Sequence, residues 1–420
     1  MRPPGELGSV ILRGARCATG PQEREACSLE LSGGRIVGRV REGSDDGTAS
    51  RQRQVLDLSG FLVLPGLINA HDHLEFSLYP RLASPPYRNY IEWGVDIHNR
   101  FPEIIATHRA VPKEVRIGWG GIRNLLCGAT TVSHHNPLRP EMLDAAFPVR
   151  VIRDYGWAHS PALGGDVRSA RTATPEGAPF LIHACEGTDD AARDEIWALD
   201  RQGLLDASTV LVHGLALNRE GIARLIEQRT SLIACPSSNQ FLYGTVPDLA
   251  PMQSIPHLAL GNDSPLTAEG DLLDEIRFAI RSCGITPEAA WTMVTDAPAA
   301  ILRLRGGEGS LRTGSVGDLV VVRDTGETPA SRLSTLRMED VELVIIGGRV
   351  QLASPAVLEK LPDAMRSGLE PLCVDGMMRW LRAPVSYLIR RAEEVLGAGQ
   401  VRMDGRLLTT PEPGRGGHAH

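Results

Sequence analysis

From Val63 to about Leu304 the chain alternates short apolar, β-favouring runs with stretches of helical periodicity, and this alternation restricts the fold more than any other feature. Runs of roughly four to eight residues with no regular polar position read as strands buried on both faces. Interleaved with helices, they predict βα units around a parallel sheet. The runs lie at 63–70, 128–133, 149–155, 179–186, 209–213, 231–235 and 257–263. A closed barrel of this type needs eight strands. The stretch between Tyr155 and Pro179 is too short for a helix, a strand and another helix, so the fourth unit is expected to be abbreviated. The predicted fold class is α/β, a distorted TIM-like (β/α) barrel plus a small β-sandwich domain.

The ends of the chain have a different texture. Residues 8–62 read as short strands, with a hairpin turn at Gly33-Gly34 and a mobile loop over 43–54. Strand patterns return at 314–323 and 341–350. These segments predict a β-sandwich domain split between residues 1–64 and 306–352, with the barrel over 65–305. Residues 353–420 read as a mostly helical extension and a disordered tail, which leaves His418 and His420 uninvolved.

A net charge of -7 and the absence of a basic run argue against a nucleic-acid partner. No run approaches the ~18–20 apolar residues that span a bilayer, and Met-Arg-Pro-Pro-Gly-Glu lacks the apolar core of a signal peptide. The seven cysteines are scattered without Cys-x-x-Cys, which predicts a reducing compartment and no cysteine zinc site. A cytoplasmic protein with a small-molecule substrate is expected. Homo-oligomer formation is left open.

Ionisable residues sit where the predicted strands stop: His71 and His73, His183, His213 and Asp263. On an extended strand His71 and His73 share a face and can grip one cation, whereas a helix would splay them apart. Asp72 then points to the opposite face. One buried histidine is more often a hydrogen-bonded core residue than a ligand. Five such groups at strand C-termini, which in a parallel barrel open onto one rim, predict a metal centre.

The motifs around these residues resemble those of the amidohydrolase superfamily, in its deaminase and chlorohydrolase branch. Pro65-Gly-Leu-Ile-Asn-Ala-His-Asp-His73 is similar to its first-strand signature, and His183-Ala-Cys-Glu186 to its His-x-x-Glu. Cys235-Pro-Ser-Ser-Asn239, Gly261-Asn-Asp-Ser264 and Gly314-Ser-Val-Gly-Asp-Leu-Val-Val-Val322 resemble its later segments. The resemblance implies one divalent ion per subunit on His71, His73, His183 and Asp263, with zinc or iron(II) suited to that donor set. Two-metal members bridge their ions with a carboxylated lysine on a barrel strand. The only lysines here, Lys113 and Lys360, open a helix and lie beyond the barrel, which favours a mononuclear centre.

By the same resemblance, Asp263 shuttles a proton from the attacking water to the leaving group. His213 orients the nucleophile and stabilises charge, and Glu186 protonates a ring nitrogen of an amidine-like substrate. The activity implied is hydrolysis of non-peptide C–N bonds, foremost deamination of a cyclic amidine or heteroaromatic ring. The alternatives are opening of a cyclic amide, displacement of another leaving group such as chloride, and a non-catalytic ligand-binding homologue. The connection over 75–112, rich in proline and aromatics, is expected to form a lid or pocket wall. Trp93, His134, His135, His159, Asn239 and Tyr243 are the candidate substrate contacts, while Cys185 and Cys235 are expected to be core.

Overall fold

The computed structural model describes residues 9–41, 54–163 and 165–411. Most of the 43–54 loop and of the 411–420 tail therefore falls outside the described residues. Eight short parallel strands position the site: β1 (Leu67–Asp72), β2 (Ala129–His134), β3 (Arg150–Val151), β4 (Gly156–Ala158), β5 (Phe180–Ala184), β6 (Thr209–His213), β7 (Ser231–Ala234) and β8 (Leu258–Leu260). They form two parallel sheets, β1-β2-β3 and β4-β5-β6-β7-β8. Nearly every residue in these strands is buried, which is why they read as unbroken apolar runs.

The predicted strand at 149–155 is instead two pieces, and this corrects the strand count. β3 pairs with β2 and β4 with β5, and only four residues separate them. The backbone turns at 153–155 between hydrogen bonds to opposite neighbours, Ile152 N–H to the Val132 carbonyl and Gly156 N–H to the Pro179 carbonyl. No helix crosses between β3 and β4, so the abbreviated unit is a broken strand track. The other seam, between β8 and β1, is joined by Asp263 N–H donating to the His71 carbonyl at 3.1 Å. Gly261 permits this approach, since a Cβ there would lie 2.5 Å from that of His71.

Between β1 and β2 the connection expected as a lid or pocket wall holds two helices, α1 (Tyr90–Arg100) and α2 (Pro102–Ala110), and the helix α3 (Lys113–Leu126) follows it. Asn89 caps α1 by accepting from the amides of Ile91 and Glu92. Three later helices frame the site, α4 (Asp190–Arg201), α5 (Pro236–Tyr243) and α6 (Leu272–Ser282). The helical pattern at 287–304 resolves into two short helices, Pro287–Met293 and Asp296–Ile301.

A twelve-stranded mixed sheet draws on both ends of the chain: Leu319–Arg323 runs antiparallel to Phe61–Pro65 and joins the N-terminal strands to those near residue 350. Residues 353–411 correct the mostly helical expectation. They hold the strands Glu370–Val374, Met377–Leu381, Arg402–Met403 and Arg406–Thr409, which extend that sheet, beside the helix Val385–Leu396. Half-buried alternation in Glu370–Val374 and Met377–Leu381 is a strand signature that short helical patterns around them masked. Among the described residues no helix is long and apolar enough to cross a membrane.

Candidate active site

β1 delivers His71 and then His73, as the strand period requires. Asp72 turns the other way, where its Oδ2 accepts from Asn124 at 2.8 Å and from Arg123 at 3.2 Å. Burial pushes the Asp72 carboxyl up to about 6 against the pull of Arg123. β5 ends in His183 and β6 in His213, while Asp263 follows β8. Cys185, His213 and Asp263 have φ of +56°, +76° and +57°, conformations that side chains other than glycine rarely adopt. The chain thus turns sharply at three strand ends, and all three turns flank the same cavity.

The imidazole tips and one carboxylate converge. His183 Nε2 lies 3.2 Å from His71 Nε2 and 3.4 Å from His73 Nε2. Asp263 Oδ1 lies 3.6 Å from His71 Nε2 and 3.7 Å from His73 Nε2. Burial drives the pKa of all three imidazoles down, that of His73 to about 3, so they are neutral. Burial also opposes charge on Asp263, but hydrogen bonding from His71 and the surrounding imidazoles hold its carboxyl well below the ordinary value. His183 Nδ1 pairs with the His159 carbonyl at 2.6 Å. That bond places its proton on Nδ1 and leaves Nε2 a bare lone pair facing the cluster.

These donors suit a cation. Around an ion with bonds of about 2.0–2.2 Å, neighbouring donors stand about 2.9–3.7 Å apart, and the four separations fall within that span. His71, His183 and His213 form a second converging triplet, but His213 commits Nδ1 to Asn239 Oδ1 at 3.1 Å and turns Nε2 towards Glu186. Neither lysine joins the cluster: Lys113 Nζ pairs with Glu75 at 3.1 Å, and Lys360 lies over the Phe61 ring.

Glu186 is 6% exposed, with Oε1 accepting from the Tyr243 hydroxyl at 2.8 Å and Oε2 3.5 Å from His213 Nε2. Burial raises its pKa, so it holds a proton more readily than an ordinary glutamate. Helix α5 supports Asp263, His213 and Glu186 together. Ser238 Oγ donates to Asp263 Oδ2 at 2.7 Å, Asn239 holds His213, and Tyr243 holds Glu186. The first turn of α5 is itself pinned by Glu275, which accepts from Ser237 N–H at 2.9 Å and from its hydroxyl.

A cavity of about 430 Å³ opens over the cluster, lined by His73, His159, His183, Glu186, His213 and Asp263 at its inner end. Trp93 and His159, both candidate contacts, line it, and Asn239 and Tyr243 act one step back through His213 and Glu186. His134 and His135 do not line it. His134 is fully buried, with Nδ1 accepting from Leu74 N–H and Nε2 3.3 Å from Glu75. His135 pairs with the Ala158 carbonyl and stacks on His183 at 4.0 Å between centroids. The sequence shows which strand they end but not that neighbouring elements absorb both rings. Cys185 and Cys235 are buried, as expected of core cysteines.

Sequence reasoning passed over three groups. Asn136 bridges His73 Nδ1 and Glu75. Glu195 accepts from Cys185 N–H and from the Tyr90 hydroxyl, each at 2.7 Å, and so ties α1 to the turn before Glu186. Glu275 is the third. Of the carboxylates behind the cluster, only Glu75 had a sequence cue, its position two residues after His73.

The chain matches the Amidohydrolase family over residues 167–351, which bears out the resemblance carried by its motifs. It is 23% identical to a 5-methylthioadenosine/S-adenosylhomocysteine deaminase of Haloquadratum walsbyi, over 68% of this chain and 78% of that one. It is 24% identical to an 8-oxoguanine deaminase of Pseudomonas aeruginosa, over 79% and 92%. In fold it is similar to a zinc-bound adenosine deaminase from Xanthomonas campestris (TM-score 0.66, 18% identity, 93% and 98% covered). It is also similar to a zinc-complexed atrazine chlorohydrolase from Arthrobacter aurescens (TM-score 0.64, 17% identity, 81% and 95% covered).

Proposed function

We propose that this member of the amidohydrolase family is a metal-dependent aminohydrolase that releases ammonia from a cyclic amidine or heteroaromatic ring. The observation that carries the reading is the meeting of three neutral imidazoles and the Asp263 carboxylate within 3.2–3.7 Å, with Glu186 and His213 beside them. On this reading His71, His73, His183 and Asp263 hold one divalent cation, zinc in preference to iron(II), and strands β1–β8 form a distorted (β/α) barrel whose β3–β4 track stands in for a regular unit. When bound, the cation supplies the Lewis acidity that brings the pKa of a coordinated water towards ~7.

The chain's own groups then manage three protons. Glu186, with its raised pKa, gives a proton to the ring nitrogen beside the amino-bearing carbon and makes that carbon electrophilic. Asp263 Oδ2, steadied by Ser238 and Thr267, takes a proton from the attacking water and passes it to the departing amine. With Nδ1–H committed to Asn239, His213 Nε2 is the acceptor facing the reacting centre, 4.0 Å from Asp263 and 3.5 Å from Glu186. It orients the water by accepting a hydrogen bond from it. Water adds, the C–N bond to the amino group breaks, and the remaining hydroxyl proton returns to Glu186, leaving a ring carbonyl and ammonia.

Ammonia release from a panel of aminated purines, pyrimidines, pterins and triazines tests the reading. Turnover of at least one aminated ring is expected from zinc-loaded protein. Silence on all of them, with turnover of cyclic amides or chlorinated rings, refutes deamination.

A further inference from the structure

The cavity lining holds a second set of polar groups. Besides the cluster it includes the apolar Phe76, Tyr79, Leu82, Trp93, Ile97 and Leu266 and the cations Arg109, Lys113 and Arg116. Lys113 is neutralised by Glu75, which also faces His134. The two arginines have no such partner: among the described residues neither lies within 4.0 Å of a carboxylate.

Arg116 is 6% exposed. Its Nε and Nη1 donate to the carbonyls of Val111 and Glu75, which fix the guanidinium without cancelling its charge. Among the described residues its Nη2 has no acceptor. The Tyr79 hydroxyl lies beside both arginines, and the Arg116 guanidinium stands 5.7 Å from the Tyr79 ring. A buried and anchored guanidinium that lines a cavity without a carboxylate partner is costly unless an anion completes it.

We propose that Arg116 and Arg109 bind an anionic terminus of the substrate. The molecule taken by this site then has a ring processed at the cluster, apolar surface against the aromatic lining, and a carboxylate or phosphate held by the arginines. The inference rests on reading the cluster as the end where the ring reacts.

Calorimetric titration of the zinc-loaded protein with 4-phenylbutanoate, 4-phenylbutyl phosphate, 4-phenylbutanamide and 4-phenylbutylamine tests this without turnover. An anionic probe should bind about tenfold or more tighter than the amide, with the amine weakest, and the tighter of the two anions names the terminus. Arg116→Met should erase the preference. Arg109→Gln, at an exposed position, should reduce it and carries the test where Arg116→Met does not fold. Equal affinities in the parent protein, or tighter binding of the amine, overturn the proposal. So does an anion preference that survives both substitutions, because the anion is then held at the metal. Failure of the ammonia assay with the anion preference intact would sink the deaminase reading and leave this subsite standing.

Discussion

Helix α5 steadies Asp263, His213 and Glu186 at once, and its first turn rests on the buried Glu275 carboxyl, so Glu275→Gln probes the support of all three. Glu275 is 1% exposed, and burial is the main cause that raises its pKa from 4.5 to about 8, against the two hydrogen bonds from Ser237. Because the folded form holds the proton more tightly than the unfolded chain, this group favours folding fully only below pH 4.5. That contribution is lost as pH rises towards 8. Integrated from about pH 5.5 to about pH 8.5, the loss is about 3 kcal/mol. Glutamine cannot ionise and still accepts from Ser237 N–H, so the variant should lack this slope. Melting temperatures of parent and variant, measured at both pH values with equal metal content, isolate the term as a difference of differences. At about 0.9 kcal/mol/K for a chain of this size, the parent should lose about 3–4 °C more than the variant. Parallel pH dependence in the two proteins would refute the assignment of a buried, protonated Glu275.

His73→Ala removes one of the converging imidazoles, and elemental analysis should show bound metal and ammonia release lost together. Glu186→Gln keeps the four-donor cluster, so metal content should stay at the parent level while turnover of ring substrates falls about 10²–10⁴-fold. Near-normal turnover in that variant removes Glu186 from the mechanism. Asn239→Ala frees His213 Nδ1, and kcat should drop about 10–100-fold with metal retained and KM little changed. Chelation should abolish activity and lower the melting temperature, both restored by zinc. At metal concentrations of about 100–1,000 times Kd, binding contributes about 3–4 kcal/mol to folding.

Short-range rules make much of the site legible in the sequence. The period of two puts His71 and His73 on one face and Asp72 on the other, where Arg123 and Asn124 receive it. Apolar runs mark strands, and the residues that terminate them, His183, His213 and Asp263, meet at one rim. The short span ahead of Pro179 announces an irregular unit. Its form, two strand pieces pairing to opposite sides, depends on which neighbour offers free carbonyls at each level, and no local pattern records that.

What the residues determined by themselves is the identity and facing of the strand-borne donors, because alternation along an extended chain and the absence of a strand lysine are properties of sequence alone. Only the tertiary structure decided what surrounds them. His134 and His135 are absorbed by Glu75 and Ala158, α5 braces three separate strand ends, and Arg116 lines the cavity without an acid to pair it. Those outcomes rest on contacts between segments tens to hundreds of residues apart, where burial strips away water and makes each unpaired polar atom matter.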